Sequence, residues 1–145
     1  MDSSRTGGSV YIFERGGSLQ LFDLHCDSIV NYKKEQSDFL CEKTQFSLKE
    51  FDKFERLCQT MAVFIPDDVR GEEAVQYFRD HKEYLDLLLR KQSEMAELVC
   101  TPGDIERITA EGRCAVILAV ESGAALAGSL DNVDYLAANG VKMMT

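Results

Sequence analysis

Hydrophobic residues fall along this chain in three compact runs separated by longer amphipathic stretches. The runs are residues 21–30 (LFDLHCDSIV), residues 58–65 (CQTMAVFI, ended by Pro66-Asp67-Asp68) and residues 114–120 (CAVILAV). Near-continuous apolar runs of this length, bounded by turn residues, predict strands buried on both faces. Between the second and third runs, Ala74, Tyr77, Phe78, Tyr84, Leu85, Leu88, Met95 and Leu98 recur close to the helical period, which predicts one long helix over residues 71–98 lying across a sheet. A shorter helix is predicted over residues 47–56, where Ser47 and Glu50 have capping-box spacing. Another spans residues 105–111, started by Thr101-Pro102-Gly103-Asp104 and stopped by Gly112, and a third spans residues 124–138, closed by Asn139-Gly140. A fourth strand begins at residues 141–145.

Strands that alternate with helices and read as apolar throughout point to an α/β fold, a parallel sheet covered by helices. Sites in such folds lie at the C-terminal ends of the strands. An open sheet can finish in 145 residues, whereas an eight-stranded barrel typically needs about 250. A chain ending on a fresh strand, with no helix to cover it, reads as cut short. Residues 1–20 read as a leader, with Gly7-Gly8-Ser9 and Gly16-Gly17-Ser18 bracketing Val10-Tyr11-Ile12-Phe13. Three readings of that apolar stretch stay open: an extension, a cloning remnant or an added edge strand. Residues 21–145 form the domain proper.

Charge and cysteine content narrow the function classes. With 16 Lys and Arg against 25 Asp and Glu, a net charge of -9, and no basic cluster, the chain argues against nucleic acid as partner. The five cysteines show no CxxC spacing and read as small buried thiols in a reducing compartment. No apolar run approaches the roughly 20 residues that cross a bilayer, and the N-terminus lacks the apolar core of a signal peptide. The expectation is a cytoplasmic protein with no membrane contact.

Candidate chemistry sits at the strand ends. His25 and Asp27 are two apart on the first strand, so they share a face and can converge on one cation. Glu121 closes the third strand and adds a second carboxylate. Asp23 falls on the same alternation as His25, and reads equally as a group that orients a ligand or as a strand-end acid with a local hydrogen bond. The other histidine, His81, lies mid-helix among Tyr77, Phe78, Tyr84 and Leu85 and reads as a packed residue. A phosphoryl-transfer site of the open α/β type needs a Lys at a strand end, and Lys142 starts its strand. No glycine-rich phosphate loop is present in the sequence.

Several segments, taken in order, resemble the membrane dipeptidase (renal dipeptidase) family in its bacterial cytoplasmic branch. They are Phe22-Asp23-Leu24-His25-Cys26-Asp27, Met61-Ala62-Val63-Phe64-Ile65-Pro66, Leu98-Val99-Cys100-Thr101 with Asp104, Ala119-Val120-Glu121-Ser122-Gly123-Ala124-Ala125-Leu126 and Gly140-Val141-Lys142-Met143-Met144-Thr145. The resemblance implies a zinc metallopeptidase on a (β/α)8 barrel that cleaves dipeptides. In this reading His25 and Asp27 bind one zinc and Glu121 bridges to a second, and the pair activates water and polarises the scissile carbonyl. The family's remaining histidine ligands, its substrate-binding Arg and its acid/base Asp come from strands beyond the fourth. The chain is therefore expected to be the N-terminal half of such a barrel, about four parallel strands with covering helices, inactive alone. It carries no complete set of catalytic residues. The alternative is a non-catalytic half-barrel that self-associates, or binds a partner, through its unfinished sheet edge.

Overall fold

The computed structural model describes residues 10–15 and 18–145 of the chain. Its sheet is built on β2 (Ser18–Cys26), β3 (Phe54–Phe64) and β5 (Cys114–Glu121), which run parallel as neighbours. The far edge of β5 is shared by two shorter parallel strands. β4 (Ala96–Leu98) pairs with Cys114 to Val116 and β6 (Val141–Met144) with Leu118 to Val120. β1 (Val10–Arg15) adds antiparallel to the outer edge of β2. Among the three readings of the leader's apolar stretch, the edge strand is the one observed. Residues 1–9 and 16–17, its glycine-rich flanks, lie outside the described residues. Within the described residues the sheet is open, and the fold is the α/β class that the pattern predicts.

The helices differ from their predicted bounds in informative ways. The first strand stops at Cys26, and Ser28–Glu35 forms helix α1. Ile29 and Tyr32 are fully buried and are three apart, the spacing of a helix face, so the short apolar run Ile29-Val30 belongs to a helix. The segment after Ser47 is a 3-10 turn, Leu48–Lys53, running directly into β3. Ser47 Oγ accepts a hydrogen bond from the Lys49 N–H as expected of an N-cap; the Glu50 side chain predicted to complete the box lies outside the described residues.

The long helix, α2 (Glu72–Lys91), ends one short strand earlier than predicted, because β4 occupies the last residues of that stretch. Three residues are too few to show a period. Helix α3 (Pro102–Ala110) has the reciprocal capping box between Thr101 and Asp104. The last predicted helix splits into a 3-10 turn, Gly123–Leu126, and α4 (Asp131–Ala138). Ala127 and Gly128 between them have φ of 48° and 73°, left-handed values that cannot continue a helix.

Both faces of the sheet are covered. Leu57, Met61, Val63, Val116, Leu118 and Val120 pack with Ile29 and Tyr32 of α1 and Phe78, Leu85 and Leu88 of α2 in the main core. On the opposite face Phe22, Cys58, Ala115 and Ile117 pack under Ile105 and Ile108 of α3. Each fully buried aliphatic or aromatic side chain contributes about 1.5 to 3 kcal/mol, so the main core dominates. Helix α3 covers only the first halves of β3 and β5 on its face. Toward the strand ends that face carries Thr60, Ala62, Ala119 and Glu121, by the pairing of β3 with β5.

All five cysteines are unpaired; Cys26, Cys58 and Cys114 are buried as expected, whereas Cys41 is half-buried and Cys100 is exposed. Burial pushes the Cys26 thiol up to about 11 and Cys58 up to about 12, and holds Cys114 well above its ordinary value. These thiols are structural and inert. Among the described residues no helix is long and apolar enough to cross a membrane.

Candidate metal centre

The site begins with an irregularity in β2. Phe22 pairs with Cys58 and Asp23 with Gln59, but the next pair is Cys26 with Met61, so β2 holds one more residue than β3 in this interval. Side chains alternate strictly along a strand, and one extra residue inverts everything after it. Phe22 lies on the α3 face and Asp23 on the helix-core face. After the bulge Cys26 joins the main core beside Met61, which turns His25 and Asp27 to the α3 face. That is also the face of Ala119 and Glu121. The simple alternation put Asp23 on the face of His25 and Asp27; the bulge places it on the other.

Asp23 is held by a local hydrogen bond, as one of its two sequence readings supposed. Its Oδ1 accepts from the backbone N–H of His25 at 3.1 Å. A second backbone donor is held in the same way. Asp27, the N-cap residue of α1, points its N–H at Oε1 of Gln45, 2.7 Å away. Gln45 is brought there by a loop fastened to α1: Ser28 Oγ accepts from the Phe46 N–H at 3.0 Å, and the Tyr32 hydroxyl donates to the Phe46 carbonyl.

The three predicted site residues meet. His25 Nε2 stands 2.8 Å from Glu121 Oε2 and 3.2 Å from Asp27 Oδ1, and one donor atom from each residue lies within 4.8 Å of the others. Each side chain is about one-third exposed, at 32%, 34% and 37% for His25, Asp27 and Glu121. β2 and β5 are separated by β3, and neighbouring strands are about 4.8 Å apart, so the side chains must reach across the middle strand. On that face β3 presents Ala62, which is fully buried and pairs with Ala119, and Phe64, which pairs with Glu121.

Beyond Glu121 the chain turns sharply. Ser122 adopts φ 119°, a region that residues with a side chain rarely visit. The turn is fixed on both sides: the Ser122 N–H donates to the Thr145 carbonyl at 2.9 Å, and Ser122 Oγ accepts from the Ala124 N–H at 3.2 Å. The Glu121 carbonyl accepts from the Ile65 N–H at 3.0 Å, which ties the ends of β5 and β3 together.

One imidazole and two carboxylates, open to solvent on one side, make a donor set suited to a divalent cation. An imidazole Nε2 can satisfy one carboxylate as a hydrogen-bond donor, yet two converge on it here. A cation about 2.0 to 2.2 Å from each donor would neutralise both, after small adjustments of the side chains. The donors fit the metal.

His81 takes no part. It is buried, its Nδ1 is 2.7 Å from the Tyr77 carbonyl oxygen, and its ring stacks on Tyr77 at 4.1 Å. Burial lowers its pKa below the ordinary histidine value. It is the packed histidine that its neighbours predict. Residues that the sequence did not single out are Gln45, which comes from a loop without periodicity, and Ala62, one small residue in an apolar strand.

Solved structures share this fold. A metallo peptidase from Rhodobacter sphaeroides, crystallised with a phosphinate mimic of the dipeptide L-Ala-D-Ala, superposes with a TM-score of 0.73 at 14% identity, covering 86% of this chain and 44% of that one. Dipeptidase AC, a metallo peptidase of family M19, gives 0.69 at 15% identity, over 83% and 40%. The probable dipeptidase PvdM from Pseudomonas aeruginosa gives 0.56 at 18%, over 68% and 27%. This chain thus spans less than half the length of each. The likeness establishes the fold, an incomplete (β/α)8 barrel. No curated protein sequence is significantly similar to the chain. The family model of the membrane dipeptidases, peptidase family M19, matches residues 17–145. With that match over nearly its whole length, the chain belongs to the membrane dipeptidase family.

Proposed function

We propose that His25, Asp27 and Glu121 hold zinc in a centre that hydrolyses dipeptides, with a second zinc in the complete site, and that residues 21–145 form the part of the barrel that carries these three ligands. The observation that carries the reading is the approach of Glu121 Oε2 and Asp27 Oδ1 to the same imidazole nitrogen. Membership in a metallopeptidase family implies metal dependence. The dipeptide mimic bound by the Rhodobacter sphaeroides protein supports a dipeptide as substrate class.

A divalent cation bound here supplies Lewis acidity to a scissile carbonyl and acidifies water near neutral pH. The protein's part is orientation. Bonds to their backbone N–H groups hold His25 and Asp27, and the tied ends of β3 and β5 hold Glu121. Glu121, whose carboxylate offers two oxygens, would hold the second ion as well.

The chain alone is inactive in this proposal, because the ligands of the second ion and the acid/base groups come from further strands. Five unpaired thiols, three of them buried, suit the reducing cytoplasm. The outer edge of β6, where Met143 and Met144 are exposed, supports association of this chain with itself. Native mass spectrometry with and without zinc tests these statements together. The account expects zinc uptake that His25→Ala abolishes, and no turnover of a simple dipeptide. Turnover by the isolated chain, lost in Glu121→Ala, would show that the ligand set is complete without further strands.

A further inference from the structure

Regular pairing along β2 would place His25 and Asp27 in the helix core and Cys26 over α3; the bulge between Asp23 and Cys26 reverses this. Packing accounts for part of the reversal, because Cys26 and Ile29 are buried in the main core and anchor the strand on its far side. Packing leaves the His25 amide unassigned, since an extra residue in a strand loses its place in the ladder. The Asp23 carboxylate supplies the missing acceptor, from the opposite face of the sheet. Asp23 and Gln45 both line a cavity of about 250 Å³ behind the strand, and each holds the backbone N–H of one proposed ligand.

We infer that Asp23 is a positioning residue for the metal centre. Its Oδ1 clamps the His25 amide, fixes the bulge, and so aims the imidazole at Glu121; Gln45 does the same for Asp27. The inference rests on the metal-binding reading and goes beyond it by naming groups that touch neither metal nor substrate.

The acceptor, not the charge, does the positioning, and this separates Asp23→Asn from Asp23→Ala. Zinc affinity of the purified chain is measured by competition with a chromogenic chelator, and exchange of the His25 amide by NMR. Asp23→Ala is expected to weaken zinc about tenfold or more, the range typical of groups that orient a metal ligand, and to accelerate His25 amide exchange. Asp23→Asn, which keeps Oδ1, is expected to restore both to near the wild-type values. The melting temperature of each variant shows that the fold persists.

Unchanged zinc affinity and amide exchange in Asp23→Ala would overturn the inference, and so would an Asn variant as damaged as the Ala variant. If the wild-type chain takes up no zinc, the metal reading itself fails. The amide-exchange comparison then still decides whether Asp23 holds the bulge.

Discussion

His25 Nε2 lies 2.8 Å from Glu121 Oε2, closer than the 3.2 Å to Asp27 two residues along its own chain, although β3 separates the strands of His25 and Glu121. Two side chains can meet across an intervening strand only if that strand yields the space between them. Of the residues that β3 presents on that face, Ala62 is fully buried and offers only a methyl group.

Replacing Ala62 by Leu is therefore expected to separate His25 from Glu121. Overpacking a full core position costs about 1 to 3 kcal/mol, so the variant folds with reduced stability. Zinc affinity falls by more than that loss of stability explains. Calorimetric titration with zinc, beside urea denaturation of the same samples, checks both statements. Unaltered zinc binding in a folded Ala62→Leu protein would remove Ala62 from the account.

Gly140 closes the turn before β6 with φ +90°, and a Cβ there would lie 3.1 Å from Cδ2 of Leu98. Gly140→Ala meets both a backbone penalty and a close contact. The left-handed backbone alone costs roughly 1 to 2 kcal/mol. The urea midpoint is expected to fall by at least that equivalent. A midpoint equal to that of wild type would mean that the turn relaxes freely.

The cap of α3 gives a pH-dependent prediction. Asp104 is held down to about 2, first by the Thr101 backbone N–H and then by Arg107 and the Thr101 hydroxyl. A carboxyl depressed in the folded state stabilises the protein above its unfolded value of about 3.9. That contribution is lost as pH falls toward about 2. Asp104→Asn is expected to flatten the acid limb of the stability profile in this window. Thr101→Ala, which removes the reciprocal cap, is expected to cost about 1 kcal/mol at neutral pH. Thermal melts as a function of pH measure both effects.

The convergence of His25, Asp27 and Glu121 was legible in the sequence because a polar residue at the end of an apolar strand has few reasons to be there. The parallel strands were legible for the same reason of continuity. What was not legible depends on tertiary packing. Ser28, Ile29 and Val30 continue an apolar strand on paper, and become helix because Ile29 and Tyr32 fill one core face. β4 is three residues long and needs β5 beside it to be a strand. The bulge in β2 is invisible to any count of alternation, since it arises where Cys26 packs against the core opposite Met61. For that reason the alternation put Asp23 on the face of His25 and Asp27, while the structure turns it to the other.

X-ray absorption spectroscopy of the zinc-loaded chain tests the central claim most directly, since it reports the donor atoms themselves. The account predicts nitrogen and oxygen donors at about 2.0 to 2.2 Å, with an imidazole signature that disappears in His25→Ala and a coordination number that falls in Glu121→Ala. A sulfur shell at about 2.3 Å, or an imidazole signature that survives in His25→Ala, would contradict it.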